Sequence, residues 1–363
     1  MLKPTYAIPS LPPPGALETV AVLKQSARAH RYLAELKGRA AAMPNAGILI
    51  NTLALQEAKA SSEIENIITT QDEMFQASLF EANIGSPAAK EVGRYSEALR
   101  CGFDRMVEQQ GILSNNSIIA MFQILKRTDG GFRETPGTAL QHEKTKEIVY
   151  VPPQSANEVK QHMAALETFI NEGLPHDLDP LIKMAIIHHQ FESIHPFPDG
   201  NGRIGRIINV LYLVQQGLLE FPILYLSRFI TRNKGDYYRL LQQVRETGEW
   251  EEWLLYMLEA VADTSVTTLG LVDGIDDLML NYKHRIRSEL PRIYSQELIN
   301  NLFAHPYTRI EFVQRDLEVT RQTAARHLDR LAEAGFLFKY QAGRSNYYIN
   351  KPLFDLFTSL DEA

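Results

Sequence analysis

The chain is organised around one stretch of sequence, His195-Pro-Phe-Pro-Asp-Gly-Asn-Gly-Arg-Ile-Gly-Arg206. Upstream of it, residues 181–194 repeat apolar side chains at the spacing of a buried helical face, and residues 204–214 do the same downstream. The prolines and glycines between these two segments interrupt the helical pattern. The stretch is therefore predicted to be a loop that joins two helices and ends at the N-terminus of the second helix.

The residue types in this loop suit an anionic ligand. The first amides of a helix have no partner within the helix and carry the positive end of its dipole. Gly200 and Gly202 leave room for backbone N–H groups to surround an anion. Arg203 and Arg206, at positions i and i+3, add two guanidiniums from the first turn of the same helix.

Two further side chains of the loop bring their own chemistry. Asp199 offers a hard oxygen ligand for Mg²⁺, which usually joins a protein carboxylate to substrate phosphates. His195 can accept a proton near neutral pH. With the anion site, these groups indicate phosphoryl or nucleotidyl transfer. Spacing alone leaves two alternatives open: an ordinary turn with a solvated arginine pair, and a metal-hydrolase site built from His188, Glu192 and His195.

The stretch resembles the signature of the Fic family, His-x-Phe-x-Asp/Glu-Gly-Asn-Gly-Arg-x-x-Arg, and fills every fixed position. Most members of that family move AMP from ATP onto a hydroxyl side chain of another protein. The resemblance implies that His195 deprotonates the target hydroxyl, that Phe197 anchors the loop and that Asp199 holds Mg²⁺. The phosphate ligands that it implies are Gly200, Asn201, Gly202, Arg203 and Arg206.

A second short motif, Ser61-Ser-Glu-Ile-Glu65-Asn66, ends a predicted helix at about residues 48–66. Ser61 and Glu65 lie at i and i+4, so the hydroxyl can orient the carboxylate, and Asn66 is suited to end the helix. An exposed acidic helix end is the alternative. The motif resembles the Fic inhibitory sequence, Ser/Thr-x-x-x-Glu-Gly/Asn, of the subgroup whose inhibitory helix precedes the catalytic domain. That resemblance implies a pair between Glu65 and Arg206 in the place of the ATP γ-phosphate.

Residues 128–154 change from helical to turn- and strand-forming sequence. Residues 146–151 are a β-prone run that two prolines end, so they form either one arm of a small hairpin or a strand awaiting a partner. In the Fic family the matching hairpin is a flap that holds the target peptide by strand addition. A plain surface hairpin is the alternative. The implied flap residues are Ile148, Val149, Tyr150, Val151, Pro152 and Pro153.

One aromatic pair, Tyr237-Tyr238, ends the helix predicted over residues 225–238, and a separate helix is predicted over 240–247. Aromatic residues at helical spacing usually belong to the core. The family resemblance places this helix beside the nucleoside, however, and Tyr238 is the ring that we expect to contact adenine. Further helices are predicted over 250–266 and 267–288.

The C-terminal residues, 291–363, have a pattern of their own. The predicted helices cover 295–303, 309–317 and 320–334, and the predicted hairpin strands cover 336–340 and 346–349. This order resembles a winged helix-turn-helix. Arg321, Arg326, Arg330 and Arg344 could meet DNA phosphates, but nearby acidic residues largely offset their charge. DNA and a protein partner are both left open for this module.

Composition limits the class of protein. A chain of 363 residues can build two or three packed units, and 45% hydrophobic with 22% charged residues is typical of soluble globular proteins. The net charge of −7 disfavours a chain built throughout to bind polyanions. Cys101 is the single cysteine, which excludes an internal disulfide and fits a reducing cytosol. We therefore expect a cytoplasmic protein with no membrane partner.

The predicted fold is mainly α, with a Fic-type helical core, a small β-hairpin flap and a C-terminal winged helix-turn-helix. The predicted units are an N-terminal helical region at 1–110, a catalytic core at 111–262, a linker helix at 263–290 and the winged-helix module at 291–363.

The expected function is AMP transfer from ATP, with Mg²⁺, to a Ser, Thr or Tyr hydroxyl of a target protein, inhibited by Glu65. UMP or phosphorylcholine transfer occurs on variants of the family. Two different functions stay open: a nucleotide-sensing DNA-binding transcription regulator, against which the intact His195 argues, and an enzyme that removes AMP from its target. A homodimer is also compatible with the sequence.

Overall fold

The computed structural model describes residues 6–43, 45–79, 86–142, 145–172, 178–304, 306–342 and 345–362. These residues form a mainly α-helical fold, as predicted. The helices are α1 Val20–Ala41, α2 Ala46–Ile64, α3 Gln71–Leu79, α4 Pro87–Glu108, α5 Asn115–Lys126, α6 Ala156–Asn171, α7 Pro180–Ile194, α8 Asn201–Gln215, α9 Leu226–Arg232, α10 Lys234–Thr247, α11 Glu251–Glu289, α12 Gln296–Ala304, α13 Ile310–Asp316, α14 Arg321–Glu333 and α15 Lys351–Glu362. The strands are β1 Leu140–Gln141, β2 Ile148–Tyr150, β3 Tyr307–Arg309, β4 Phe338–Ala342 and β5 Ser345–Ile349.

The core of the protein is centred on α7 and α8, the two helices that flank the motif loop. Every residue from Leu181 to Ile194 in α7 is buried, as is every residue from Arg203 to Leu213 in α8. A helix that is apolar on all sides belongs in the interior of a large domain. The motif loop therefore joins two helices that lie in the interior of the protein.

The start of α7 is fixed by its own capping residue, Asp179, and by two contacts from α1. The Asp179 carboxylate accepts hydrogen bonds from the amides of Leu181 (2.8 Å) and Ile182 (3.4 Å), and Pro180 occupies the first helical position. Ser26 and His30 of α1 hold the same carboxylate. Because both its cap and its packing are fixed, α7 delivers its C-terminal end to a defined place.

The longest helix, α11, packs against α1, α7 and α9. By length and composition it could cross a membrane, but 56% of its most apolar window is buried inside the protein. Burial of that kind is typical of a core helix of a globular fold. The sequence prediction of two helices here was wrong, because one helix runs unbroken through Thr267, whose hydroxyl donates to the Asp263 carbonyl. The predicted division at residue 262 falls inside it.

The break that was predicted after residue 238 lies at Asn233 instead. The Asn233 amide group donates to the Phe229 carbonyl and ends α9, and α10 then begins at Lys234. Tyr238 consequently lies in the first half of α10 rather than at a helix end. The sequence prediction also missed α3, α15 and strand β3.

The C-terminal unit contains α12, α13 and α14 followed by the β4–β5 hairpin, in the predicted order. Its antiparallel sheet has the strand order β3-β5-β4, with both Tyr307 and Phe338 aligned with Ile349. Arg321 forms an ion pair with Glu311 (2.5 Å), which offsets one of the charges proposed for DNA. Arg344 lies outside the described residues. The winged-helix assignment stays a prediction.

Candidate active site

The motif loop is held in one shape by its own side chains. His195 ends α7 in the left-handed region (φ 49°), and its amide donates to the Phe191 carbonyl. The Asn201 side chain closes the loop, accepting from the Phe197 amide and donating to the Phe197 carbonyl, both at 2.8 Å. The Phe197 ring is fully buried and stacks on Phe122 with ring centroids 4.1 Å apart. The predicted helix–loop–helix is confirmed.

The N-terminus of α8 is open and crowded by charge. Gly200 precedes it in the left-handed region (φ 78°) and offers no capping side chain, so the first amides of the helix have no cap. A Cβ at Gly202 would lie 2.6 Å from Glu65 Oε1 and 2.9 Å from Arg206 Nη1. A side chain at this position would push the Glu65 carboxylate and the Arg206 guanidinium away from the backbone.

The carboxylate of Glu65 bridges both motif arginines. Its Oε1 lies 3.0 Å from Arg206 Nη2 and its Oε2 lies 2.7 Å from Arg203 Nε. The two guanidiniums are almost fully buried, whereas 22% of the Glu65 side chain is exposed. The expected Glu65–Arg206 pair is present, and the structure adds the pair with Arg203.

Ser61 has a different partner from the one predicted. Its hydroxyl accepts a hydrogen bond from Arg206 Nε (2.7 Å) and its carbonyl accepts from Nη2 (2.8 Å). The prediction that Ser61 orients Glu65 directly was therefore wrong, because both residues act on the same guanidinium. Asn66 ends the helix in the left-handed region (φ 62°), and its Oδ1 accepts a hydrogen bond from Lys234 (3.1 Å).

Asp199 presents its carboxylate at the edge of the loop, with 64% of the side chain exposed. One oxygen accepts from the Gly200 amide (2.7 Å), and the other meets the Lys126 ammonium. Partial burial opposes ionisation, but Lys126 outweighs it and lowers the pKa of Asp199. No cluster of three or more metal-ligating side chains occurs among the described residues. A divalent ion here would therefore combine Asp199 with oxygens of a bound ligand, an arrangement that suits Mg²⁺.

Two residues that the sequence did not single out, Glu91 of α4 and Lys126 of α5, complete a charge network. Glu91 pairs with Arg203 Nη1 and lies 3.6 Å from Lys126, which in turn contacts Asp199. Burial opposes ionisation of Glu91, but Arg203 and Lys126 lower its pKa. The network balances three cations against three carboxylates: Lys126, Arg203, Arg206, Glu65, Glu91 and Asp199. A polyanionic ligand entering here must displace carboxylates from the arginines.

The His195 imidazole is partly exposed and lies near two arginines. Desolvation, together with the charges of Arg245 and Arg133, lowers its pKa to about 3. The ring is therefore neutral at neutral pH, as a base must be, but the same surroundings make it a weaker base than an ordinary histidine.

The metal-hydrolase alternative is wrong. His188 is fully buried, and its Nε2 and Nδ1 are occupied by the Tyr237 hydroxyl (2.8 Å) and the Asn209 side chain (3.0 Å). Glu192 is also buried, and desolvation raises its pKa to about 7. His188 is therefore a hydrogen-bonded core residue of the α7–α8–α10 packing.

Family profiles match the chain in three successive segments. Residues 23–104 match the Fic/DOC family N-terminal region and residues 112–213 match the Fic/DOC family domain. Residues 278–353 match the C-terminal domain of the SoFic-like protein adenylyltransferases. The chain belongs to the Fic/DOC family.

Relatives of this Fic-family chain are named protein adenylyltransferases. A probable protein adenylyltransferase of Aquifex aeolicus is 42% identical over 69 residues, which is 19% of each chain. The protein adenylyltransferase fic-1 of Caenorhabditis elegans is 26% identical over 129 residues, 36% of this chain and 24% of fic-1. The matched stretches thus span less than a quarter of these relatives.

Solved structures share the fold. A Fic family protein from Desulfovibrio desulfuricans has a TM-score of 0.57 at 20% identity, covering 93% of this chain and 98% of that one. Fic-1 from C. elegans has a TM-score of 0.53 at 19% identity, over 68% and 71% of the two chains. At these identities the similarity concerns the fold alone.

The aromatic pair of this Fic-family chain divides between core and surface. Tyr237 is buried, whereas Tyr238 is 49% exposed, and the two ring centroids are 5.1 Å apart. Tyr238 is thus the ring of the pair that a ligand could reach. Its contact with adenine stays a prediction.

The predicted flap is a two-stranded hairpin in which Leu140 of β1 aligns with Tyr150 of β2. The Tyr150 hydroxyl donates to the Ser193 carbonyl (2.7 Å), and the Arg245 guanidinium lies over its ring. The hairpin is therefore fastened beside the end of α7. Ile148, Val149, Val151 and Pro153 remain partly exposed, while Tyr150 and Pro152 are buried. Strand addition by a target stays a prediction.

Proposed function

We propose that this Fic-family chain is a protein adenylyltransferase, which moves AMP from ATP to a Ser, Thr or Tyr hydroxyl of a target protein. One observation carries the proposal: a single loop joins His195, at the end of α7, to an uncapped helix N-terminus that carries two buried arginines. The names of the Aquifex and C. elegans relatives support the same activity.

In the proposed reaction, the oxygen of the target hydroxyl attacks the α-phosphorus of ATP, and neutral His195 accepts the proton of that hydroxyl. The bond from the α-phosphorus to the bridging oxygen breaks, and pyrophosphate leaves with its electron pair. The amides at Gly200, Asn201 and Gly202 face the α-phosphate, because helix N-terminal N–H groups bind anions.

The remaining groups act on the rest of the nucleotide. Arg203 and Arg206 neutralise the outer phosphates through directed N–H groups. Asp199 would hold Mg²⁺, which supplies charge neutralisation to the phosphates when it is bound. Tyr238 is assigned to the adenine, and the flap residues 148–153 to the target segment.

Glu65 is proposed to inhibit this reaction by occupying the arginines. A carboxylate bound by guanidiniums has the shape and charge of a bound phosphate, so Glu65 and the γ-phosphate exclude each other. ATP that binds while Glu65 is in place has its γ-phosphate displaced, which puts its α-phosphate out of line with His195.

Removal of AMP is the second candidate function. Its supporting observation is that the Glu65 carboxylate is partly exposed beside Arg203 and Arg206, where it could orient a water molecule. A target labelled beforehand with AMP would lose its label faster with wild type than with Glu65→Gly if this function holds.

We also propose a cytoplasmic location and a homodimer. DNA is the alternative partner of the C-terminal unit, in a chain that acts as a transcription regulator. Arg321 forms an exposed ion pair with Glu311, which it would exchange to meet a phosphate.

The proposed activity is tested with ATP labelled on its α-phosphate, Mg²⁺ and a cell lysate. We expect label on lysate proteins, or on the chain itself, that survives denaturation. Chelation of Mg²⁺ should prevent it. A lysate that stays unlabelled with every variant of the chain would contradict the proposal.

Asp199→Asn should weaken ATP binding in Mg²⁺ by at least about tenfold, or about 1.4 kcal/mol. The change keeps the size of the side chain and an acceptor for the Gly200 amide but removes the charge that would hold the metal. Calorimetric titration with ATP, in Mg²⁺ and in chelator, measures the effect. Exposed Asp129→Asn is the matched control and should bind as wild type does. Equal Mg²⁺ dependence in the two variants would show that Asp199 holds no metal.

A further inference from the structure

Arg133 is a buried arginine that joins the flap to the loop carrying His195. Its Nε donates to the His195 carbonyl (2.8 Å), and its Nη2 donates to the carbonyls of Ile194 (3.3 Å) and Pro153. Its own backbone amide donates to the Pro196 carbonyl (2.8 Å). One side chain and one amide therefore fix three consecutive carbonyls of the loop and one of the flap.

Burying the Arg133 guanidinium without a carboxylate partner costs free energy. Its side chain is buried, with 5% of the residue exposed, and no carboxylate contacts it within the described part of the chain. Desolvation consequently lowers its pKa. A buried arginine is usually paired with an acid, since an unpaired charge is expensive to desolvate. Here the guanidinium is satisfied by peptide carbonyls, two of which belong to His195 and to its neighbour Ile194.

The loop carbonyls need such a donor. The last carbonyls of a helix have no partner within the helix. His195 also ends α7 in the left-handed region, where residues other than glycine are strained. By binding the carbonyls of Ile194 and His195, Arg133 stabilises this backbone conformation. The His195 side chain leaves the chain from this backbone.

The same guanidinium reaches the flap at the carbonyl of Pro153, directly after strand β2. A displacement of the flap therefore pulls on the group that fixes the His195 backbone. Arg245 offers a contrast: it also lowers the pKa of His195, but it donates to Ser193 Oγ (3.1 Å) and not to the loop carbonyls or Pro153.

We propose that Arg133 is a positioning residue that couples the place of the flap to the orientation of His195. A target segment seated on the flap is thereby set against the base. This inference rests on the proposed function, and it assigns to Arg133 a role in acceptor use rather than in ATP binding.

The test compares Arg133→Met and Arg133→Lys, both made in Glu65→Gly protein. Labelling of lysate proteins by α-labelled ATP is followed over a series of lysate concentrations. We expect Arg133→Met to lower the maximal labelling rate on the order of 10²-fold, since misplacement by about 1 Å has that effect. ATP binding should stay within about twofold. Arg133→Lys should recover only part of the rate, because an ammonium lacks the planar fork that reaches both segments.

Hydrogen exchange supplies a readout that needs no activity. We expect faster amide exchange in residues 148–151 and 194–197 of Arg133→Met, with α1 and α11 unchanged. Arg245→Met, which removes the other nearby charge, should leave exchange at 194–197 close to that of the parent. Should Arg133→Met not fold, Arg133→Lys is used for both measurements.

Two results would overturn the inference: labelling by Arg133→Met within about threefold of the parent, or unchanged exchange in both segments. Failure of the proposed function looks different. In that case the Glu65→Gly parent itself labels nothing, whereas the exchange measurement still reports whether Arg133 couples flap and loop.

Discussion

Glu65→Gly should raise the rate of AMP transfer by about 10²-fold or more, because it frees both motif arginines for the phosphates of ATP. In the structure the Glu65 carboxylate lies 3.0 Å from Arg206 Nη2 and 2.7 Å from Arg203 Nε. Removing it leaves two buried guanidiniums short of a partner. The free energy of unfolding without nucleotide should therefore fall by about 1–3 kcal/mol, and ATP should restore it.

The rate is measured as covalent α-label at equal protein concentration. Glu63→Gly is the matched control, because it makes the same change two residues earlier, at the end of α2, without touching the arginines. Ser61→Ala should raise labelling less than Glu65→Gly, since it removes only a neutral acceptor of Arg206. Equal labelling by Glu63→Gly and Glu65→Gly would show that α2 is a structural element and not an inhibitor.

His195→Ala, made in Glu65→Gly protein, should lower label transfer by about 10²–10⁴-fold, the range typical of general base catalysis. ATP affinity should change little, because the phosphate ligands lie on α8. The control is His142→Ala, which removes an exposed histidine of the segment between the flap strands. Transfer at the parent rate by His195→Ala would mean that another group takes the proton.

Local features of the site could be predicted because local chemistry determines them. Prolines and glycines break the helices around the motif, and the Asn201 side chain closes the loop on a residue only four positions away. The Glu65–Arg206 pair could also be predicted, but only through the family resemblance. Nothing in the spacing of two residues 141 positions apart predicts that they meet.

The features that the sequence did not reveal are those that depend on packing between distant elements. Glu91 and Lys126 belong to ordinary amphipathic helices, and Arg133 lies in a turn that was interpreted only as a turn. Their roles arise because α4, α5 and the flap converge on one loop. Ser61 was given the wrong partner, because the group that donates to its hydroxyl, the Arg206 guanidinium, comes from a helix distant in sequence.

Nucleotidyl transfer is tested most directly by following the two ends of ATP separately. Glu65→Gly protein is incubated with Mg²⁺, lysate and ATP labelled at either the α- or the γ-phosphate, and the proteins are then separated under denaturing conditions. Lysate kinases transfer γ-phosphate by themselves, so label is counted only above that of lysate incubated without the chain. This excess of covalent label should come from the α-phosphate alone, with the γ-label leaving as pyrophosphate. An excess from the γ-phosphate, or from neither position, would contradict AMP transfer at His195.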